Sequence, residues 1–403
     1  MMLLFDGPNG LEGVVMTFSH RRSQGLVVAL LGMSGAFALQ AEVIFEENFD
    51  DQPDWTSAMH STDTVQRADT HIIPEGWYSI RQDPVWAPST GHPDRHESIE
   101  ILESNADKAR SGSKSYVSWR DSYDAGWKYW GSESTMVKYL PEGYDQLYVE
   151  FWIRFDEGWM REYVQGTESA GSKLFRISSW RGEGEGNEYQ AFGGGDLGPI
   201  FLWDHNITGY GVRNPMSLRG GPHGDNYGFV TGDIEDAPRD LVGSGDLNMN
   251  FTGDVQGRGV DGTTPEIPDK LNGGFITTDP YRSVSHNQIF GPGDTWTKVA
   301  FFVKMNSSPG AKDGVVIQWL DDQQIFKMET IPWIRPSDTE DENAQWNLVA
   351  IGGNDFFQTF PNDQRHEEWY ALDDIVVRTD IPDYLSTDTA LAPPSAPVQL
   401  SVD

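Results

Sequence analysis

Between Leu147 and Phe155 the chain alternates without a break. Leu147, Val149, Phe151, Ile153 and Phe155 are apolar, while Tyr148, Glu150, Trp152 and Arg154 between them are polar or amphipathic. A period of two matches side chains leaving a strand on opposite faces, so the stretch predicts a β-strand with one face in a core. The even face sets two aromatic rings between an acid and a base. A sugar-binding groove uses that mixture, and so does an ordinary solvated outer face.

Further runs predict strands at Val43 to Asp51, Ser98 to Leu102, Lys114 to Arg120, Gly171 to Trp180, Trp296 to Met305, Gly314 to Leu320, Trp346 to Gly352 and Trp369 to Arg378. In the third of these, Tyr116, Ser118 and Arg120 share a face opposite Val117 and Trp119. In Gly171 to Trp180, Lys173 and Arg176 are three apart and fall on opposite faces unless a bulge intervenes. The turn-rich segment Asp121 to Trp130, with Trp127, is suited to wall a cleft.

No extended helical periodicity appears, and 43 Gly and 23 Pro supply many turns, so the fold class is all-β. Residues 42–385 read as one domain, with residues 386–403 as a frayed tail. From Arg181 to Asp294 the chain is mostly Gly, Asp, Asn and Pro apart from Pro199 to Trp203. Long irregular segments of this kind are usually functional loops or disordered. This one carries Tyr189, His205, Tyr210, Arg213, Arg219, His223, Tyr227 and His286.

Residues 1–41 change the picture of location. His20, Arg21 and Arg22 precede the apolar run Leu26 to Leu39, with Ala36, Ala38 and Ala41 for cleavage, as in an export signal. The expected mature protein is a secreted or periplasmic monomer without a membrane anchor. The formal net charge of −33 argues against nucleic acid as a partner, because such binding needs a basic footprint. There is no cysteine, hence no disulfide or thiolate metal site.

First and last strands of a sandwich commonly lie side by side. Glu46 and Asn48 near one end of the chain, with Asp373 and Asp374 near the other, would then offer oxygen ligands to a structural Ca²⁺. No organic cofactor is implied.

The order of Phe45-Glu-Glu-Asn-Phe, Leu147-Tyr-Val-Glu-Phe-Trp-Ile-Arg-Phe, Gly171-Ser-Lys-Leu, Trp296-Thr-Lys-Val, Gly314-Val-Val-Ile-Gln-Trp and Leu372-Asp-Asp-Ile resembles the concanavalin-A-like jelly rolls of secreted polysaccharide lyases. Alginate and glucuronan lyases are nearest in style. The resemblance implies a jelly-roll β-sandwich acting on a uronate-containing polysaccharide by β-elimination. Gly171-Ser-Lys173-Leu174 is similar to a Gly-Gly-Lys-Leu segment whose lysine is catalytic in some of these enzymes, although Phe175-Arg176 replaces the Pro-Gly that follows there. The Gln-Ile-His or Gln-Val-His signature of alginate lyases does not occur.

Elimination requires neutralising the uronate carboxylate, removing the adjacent C5 proton and protonating the departing oxygen. Arg176 or Arg213 would clamp the carboxylate, and Lys173, His205 or Tyr210 would move the proton. Tyr148, Glu150, Trp152, Arg154, Arg120 and Trp127 are the expected substrate-binding residues. Two alternatives stay open. One is a glycoside hydrolase on the same scaffold, for which Glu183, Glu185 and Glu188 copy an acid spacing of laminarinase-like enzymes. The other is a carbohydrate-binding protein without catalysis.

Overall fold

The computed structural model describes residues 42–83, 88–121, 132–157, 159, 170–180, 197–208, 211–214, 216–220, 227–228, 247–249, 267–276, 284–334, 344–356 and 367–386. Among them, two large antiparallel sheets pack face to face as a jelly-roll β-sandwich. The first sheet has nine strands: β1 (Val43–Glu47), β2 (Trp55–Thr56), β5 (Ile99–Ile101), β6 (Tyr116–Asp121), β8 (Gln146–Phe155), β17 (Thr297–Lys304), β18 (Gly314–Leu320), β19 (Gln323–Ile331) and β22 (Glu367–Arg378). Its order is β19-β18-β17-β8-β22-β6-β5-β2, with β1 also paired to β22.

The second sheet has eleven strands: β3 (Val65–Arg67), β4 (Ser79–Gln82), β7 (Ser132–Tyr144), β9 (Ala170–Trp180), β10 (Leu197–Thr208), β11 (Gly211–Arg213), β12 (Met216–Gly220), β13 (Tyr227–Gly228), β14 (Leu247–Met249), β20 (Trp346–Ile351) and β21 (Asn354–Phe356). Its order is β13-β12-β10-β9-β20-β7-β4-β3. A small hairpin, β15 (Ile267–Pro268) and β16 (Phe275–Ile276), two 3-10 helices at Pro88–Thr90 and Glu103–Lys108, and two short α-helices, α1 (His286–Phe290) and α2 (Asp383–Ser386), complete the described elements.

The odd residues of β8 do what their spacing predicts: Leu147, Val149, Phe151, Ile153 and Phe155 all lie in the core. The layers meet through aromatic rings. Phe151 of the first sheet sits 5.1 Å from Phe175 of the second, and Phe301 lies 5.2 Å from Phe175, 5.0 Å from Phe201 and 5.5 Å from Trp203. Each such side chain contributes about 1.5–3 kcal/mol by leaving water.

The span 181–294 departs from its expected irregularity. β10 runs well beyond the apolar piece Pro199 to Trp203, and β11 to β14 add to the same sheet. β7 was not legible because Pro141 and Gly143 interrupt its alternation. The ladder absorbs them in a register shift, where Tyr139 pairs with Leu348 and Tyr144 with Trp346.

Candidate functional site

The even face of β8 is partly covered by other segments of the chain. Tyr148 is fully buried, its ring 5.9 Å from Trp319, in a cluster joined by Ile381 and Leu385. Its hydroxyl donates to Glu150 Oε2 at 2.5 Å, where Lys298 Nζ (3.0 Å) and the Tyr384 hydroxyl (3.0 Å) also converge. Trp152 lies beneath the Arg110 guanidinium, 3.8 Å from the ring centre. Arg154 donates through Nε to the Gly293 carbonyl (2.6 Å) and through Nη1 to that of Asp107 (2.7 Å). These four side chains fasten α2 and the segment 107–110 to the sheet, because a half-apolar outer face is covered wherever the chain can reach it.

Two further expected site residues turn inward. Arg120, on the core side of β6, is 3% exposed. It gives Nε and Nη2 to Glu368 Oε1 (2.9 and 2.6 Å) and Nη1 to Ser172 Oγ (2.5 Å), and its guanidinium stacks 3.5 Å over Trp159. His205 is fully buried among Phe155 (5.4 Å), Phe290 (5.6 Å) and Trp159 (6.3 Å), with Nε2 3.0 Å from His286 Nδ1. Both side chains face the core between the sheets.

Burial pushes His205 well below the usual imidazole range and His286 down to about 3. An unfolded imidazole titrates near 6.5, so between that pH and about 3 the unfolded chain binds more protons and stability falls as pH falls. Between pH 7 and 5, His286→Leu is expected to gain about 1–2 kcal/mol relative to wild type, read from urea midpoints. A difference that stays constant with pH would show that the ring is not held neutral. Taking the difference cancels Asp373, which runs the other way: burial first, then the Asp374 charge, push it up to about 7. Its folded form therefore keeps a proton that the unfolded form loses above about 4.

The expected calcium ligands are not gathered into a shell. β1 and β22 do pair, with Glu46 opposite Val376. However, Asp373 accepts backbone N–H groups from Arg110 (2.8 Å), Ser111 (3.2 Å) and Asp374 (2.8 Å). Asp374 pairs with Arg110 and accepts from Ser111 Oγ at 3.0 Å, Asn48 Oδ1 accepts from the Asp50 N–H at 3.2 Å, and Glu46 is exposed. Among the described residues no three Asp, Glu or His side chains converge as a metal site. Tyr210, Trp127 and the Glu183, Glu185 and Glu188 trio lie outside the described residues. Arg213 stands on β11 opposite Asn206.

Charged groups do converge on the outer face of the second sheet. Along the β9–β10 ladder Phe175 pairs with Trp203, but the next pair is Lys173 with Asp204, so Leu174 is an extra residue. Leu174 and Phe175 both enter the core. The bulge resets the alternation and brings Lys173 to the same outer face as Arg176, which pairs with Leu202 and Ala350. The end of β20 locks it: Gly352 N–H donates to the Leu174 carbonyl at 2.9 Å. Gly352 has φ +68°, and a Cβ on Gly353 would stand 2.1 Å from the Lys173 carbonyl oxygen.

Lys173 and Arg176 are 5% and 3% exposed. Burial pushes the Lys173 amine down to about 8; the Arg176 and Arg219 charges add to this, and those of Asp204 and Glu133 oppose it. Arg176 is lowered by burial as well but stays cationic, with Glu133, Asp204 and Arg81 as its charged neighbours. Arg81 Nε in turn meets Glu133 Oε1 at 3.2 Å. Two residue pairs farther along β9, about 13 Å away, Trp180 forms an aromatic group with Tyr139 (5.1 Å) and Tyr78 (5.6 Å).

Among the described residues the cluster thus holds Arg81, Lys173, Arg176 and Arg219 against Glu133 and Asp204, a local basic excess in a chain of net charge −33. Sequence reasoning missed Arg81, Glu133 and Asp204. Arg81 and Glu133 stand on strands that were not recognised. Asp204 lies next to the apolar run on β10, where continued alternation past Trp203 would have set it outward and His205 inward.

No family model matches the chain, and no curated protein does. Among solved structures the chain is similar to a variant of alginate lyase Aly36B in complex with alginate tetrasaccharide, at 11% identity and a TM-score of 0.38, covering 83% of this chain and 96% of that one. It is also similar to endo-β-1,4-glucuronan lyase from the fungus Trichoderma reesei, at 10% identity and a TM-score of 0.40, covering 84% and 96%. A third is an alginate lyase from Pseudomonas aeruginosa, at 9% identity and a TM-score of 0.35, covering 82% and 99%. At these values the likeness carries no activity over to this chain.

Proposed function

We propose that this protein is a polysaccharide lyase that cleaves a uronate-containing polymer by β-elimination on the outer face of its second sheet. The observation that carries the reading is the bulge at Leu174, which sets an amine poised near neutral pH on the same face as a buried guanidinium. Arg176 neutralises the substrate carboxylate, which acidifies the proton on C5. Neutral Lys173 takes that proton. The electron pair forms the C4–C5 double bond as the C4–O bond breaks, and the resulting ammonium returns the proton to the departing oxygen. The buried setting strengthens each electrostatic contact.

The test is to incubate the purified protein with a panel of polyuronates and neutral glucans, following ultraviolet absorbance of unsaturated uronate ends and reducing-end release in parallel. Both signals are expected to rise together on a polyuronate only. Reducing ends without absorbance would mark a hydrolase, and binding without either would mark a carbohydrate-binding protein.

A further inference from the structure

Lys173 is held at the bulge by more than its backbone. Directly across the β9–β10 ladder stands Asp204, 8% exposed, whose carbonyl is fixed by Asn214 Nδ2 at 3.2 Å, with Asn214 itself buried. Cross-strand partners lie about 4.5–5.5 Å apart at Cβ, so a carboxylate and an amine on one face at that register are held in each other's field. The groups acting on the amine from the surrounding strands are Arg176 on β9, Asp204 on β10, Glu133 on β7 and Arg219 on β12. Two of the four are cations that repel an ammonium. Of the two anions, Asp204 is the one in register with Lys173.

We infer that Asp204 is the positioning residue for Lys173: its carboxylate, in register across the ladder, keeps the amine on the outer face among repelling guanidinium groups and governs how readily it takes up a proton. The inference rests on the elimination site read above. Burial alone disfavours the ammonium form, and so do Arg176 and Arg219. Asp204 opposes them most strongly, which leaves the amine at about 8 rather than lower. Without that charge the amine would stay neutral over a wider pH range, but it would be a weaker base and would lose its orienting partner.

The experiment is the pH–rate profile of the full chain on the polyuronate that it cleaves, for wild type, Asp204→Asn, Asp204→Ser and Asp204→Glu. With either neutral substitution the rising limb is expected to move to lower pH by about one unit. The maximal kcat is expected to fall with KM little changed, and Asp204→Glu should hold the limb near its wild-type position. Lys173→Gln separates the two readings. If that variant turns over at the wild-type rate, the site itself is wrong and this inference falls with it. If it is inactive while the Asp204→Asn and wild-type profiles coincide, only the inference falls. Failure of both neutral variants to fold while Asp204→Glu folds normally would assign Asp204 to the fold and likewise overturn it.

Discussion

Lys173→Gln is expected to slow elimination about 10²- to 10⁴-fold, the usual contribution of a positioned proton-transfer group, with KM changed little. The amide keeps most of the side chain's length and polarity but cannot carry the proton. Arg176→Ala is expected to cost a similar factor in kcat and to raise KM as well, because the carboxylate loses its clamp both before and during the reaction. Arg176→Lys should recover only part of this, since an ammonium cannot offer the guanidinium's paired donors. In wild type the rate should climb as pH rises through about 8, where burial places the loss of the Lys173 proton. Circular dichroism on each variant separates loss of chemistry from loss of fold. Folded Lys173→Gln and Arg176→Ala proteins that both work at the wild-type rate would remove the site from this face of the molecule.

The largest stability effect is expected inside the sandwich, on the core face of the first sheet. Arg120 and Glu368 meet inside the sandwich with side chains 1% and 5% exposed, and Arg120 also reaches Ser172 and stacks on Trp159. Removing one partner leaves a charge in the core that has lost its hydrogen-bonded counter-ion. Glu368→Leu is therefore expected to destabilise by about 3–5 kcal/mol, read as a lowered urea midpoint at constant slope. The double variant Arg120→Met with Glu368→Leu should recover most of that loss, because apolar groups of similar volume carry no desolvation penalty. A double variant no better than the single one would mean that the hydrogen bond to Ser172 and the stack on Trp159, rather than the ion pair, hold this end together.

The fold was legible where local alternation decides it. The odd residues of β8 are in the core as their period requires, β18 spans Gly314–Leu320 as read, and β1 pairs with β22. The cover over the even face of β8 was not legible, because alternation says which residues leave the core and not what lies over them. Tyr148 points outward from its sheet as expected, and it is buried because Ile381 and Leu385 come from a distant part of the chain to cover it. The Lys173 and Arg176 pair was legible only as a condition. Three-residue spacing separates them, and one inserted residue reunites them, but nothing in Leu174 itself announces a bulge. His205 was nominated for its chemistry alone, whereas its place after Trp203 and Asp204 on β10 already turned it toward the aromatic interior.

β22 occupies an interior position in the first sheet, between β8 and β6, and is the last strand among the described residues. Its far end pairs with β1, and beyond that pairing the Thr379 N–H still donates to the Glu42 carbonyl at 3.2 Å. Elements made earlier therefore wait beside an open seam until the final segment arrives to zip β1 and β6 onto β8. Protection against proteases should set in late and all at once during biosynthesis, and chains released before residue 367 should be degraded rather than persist as a partly folded half.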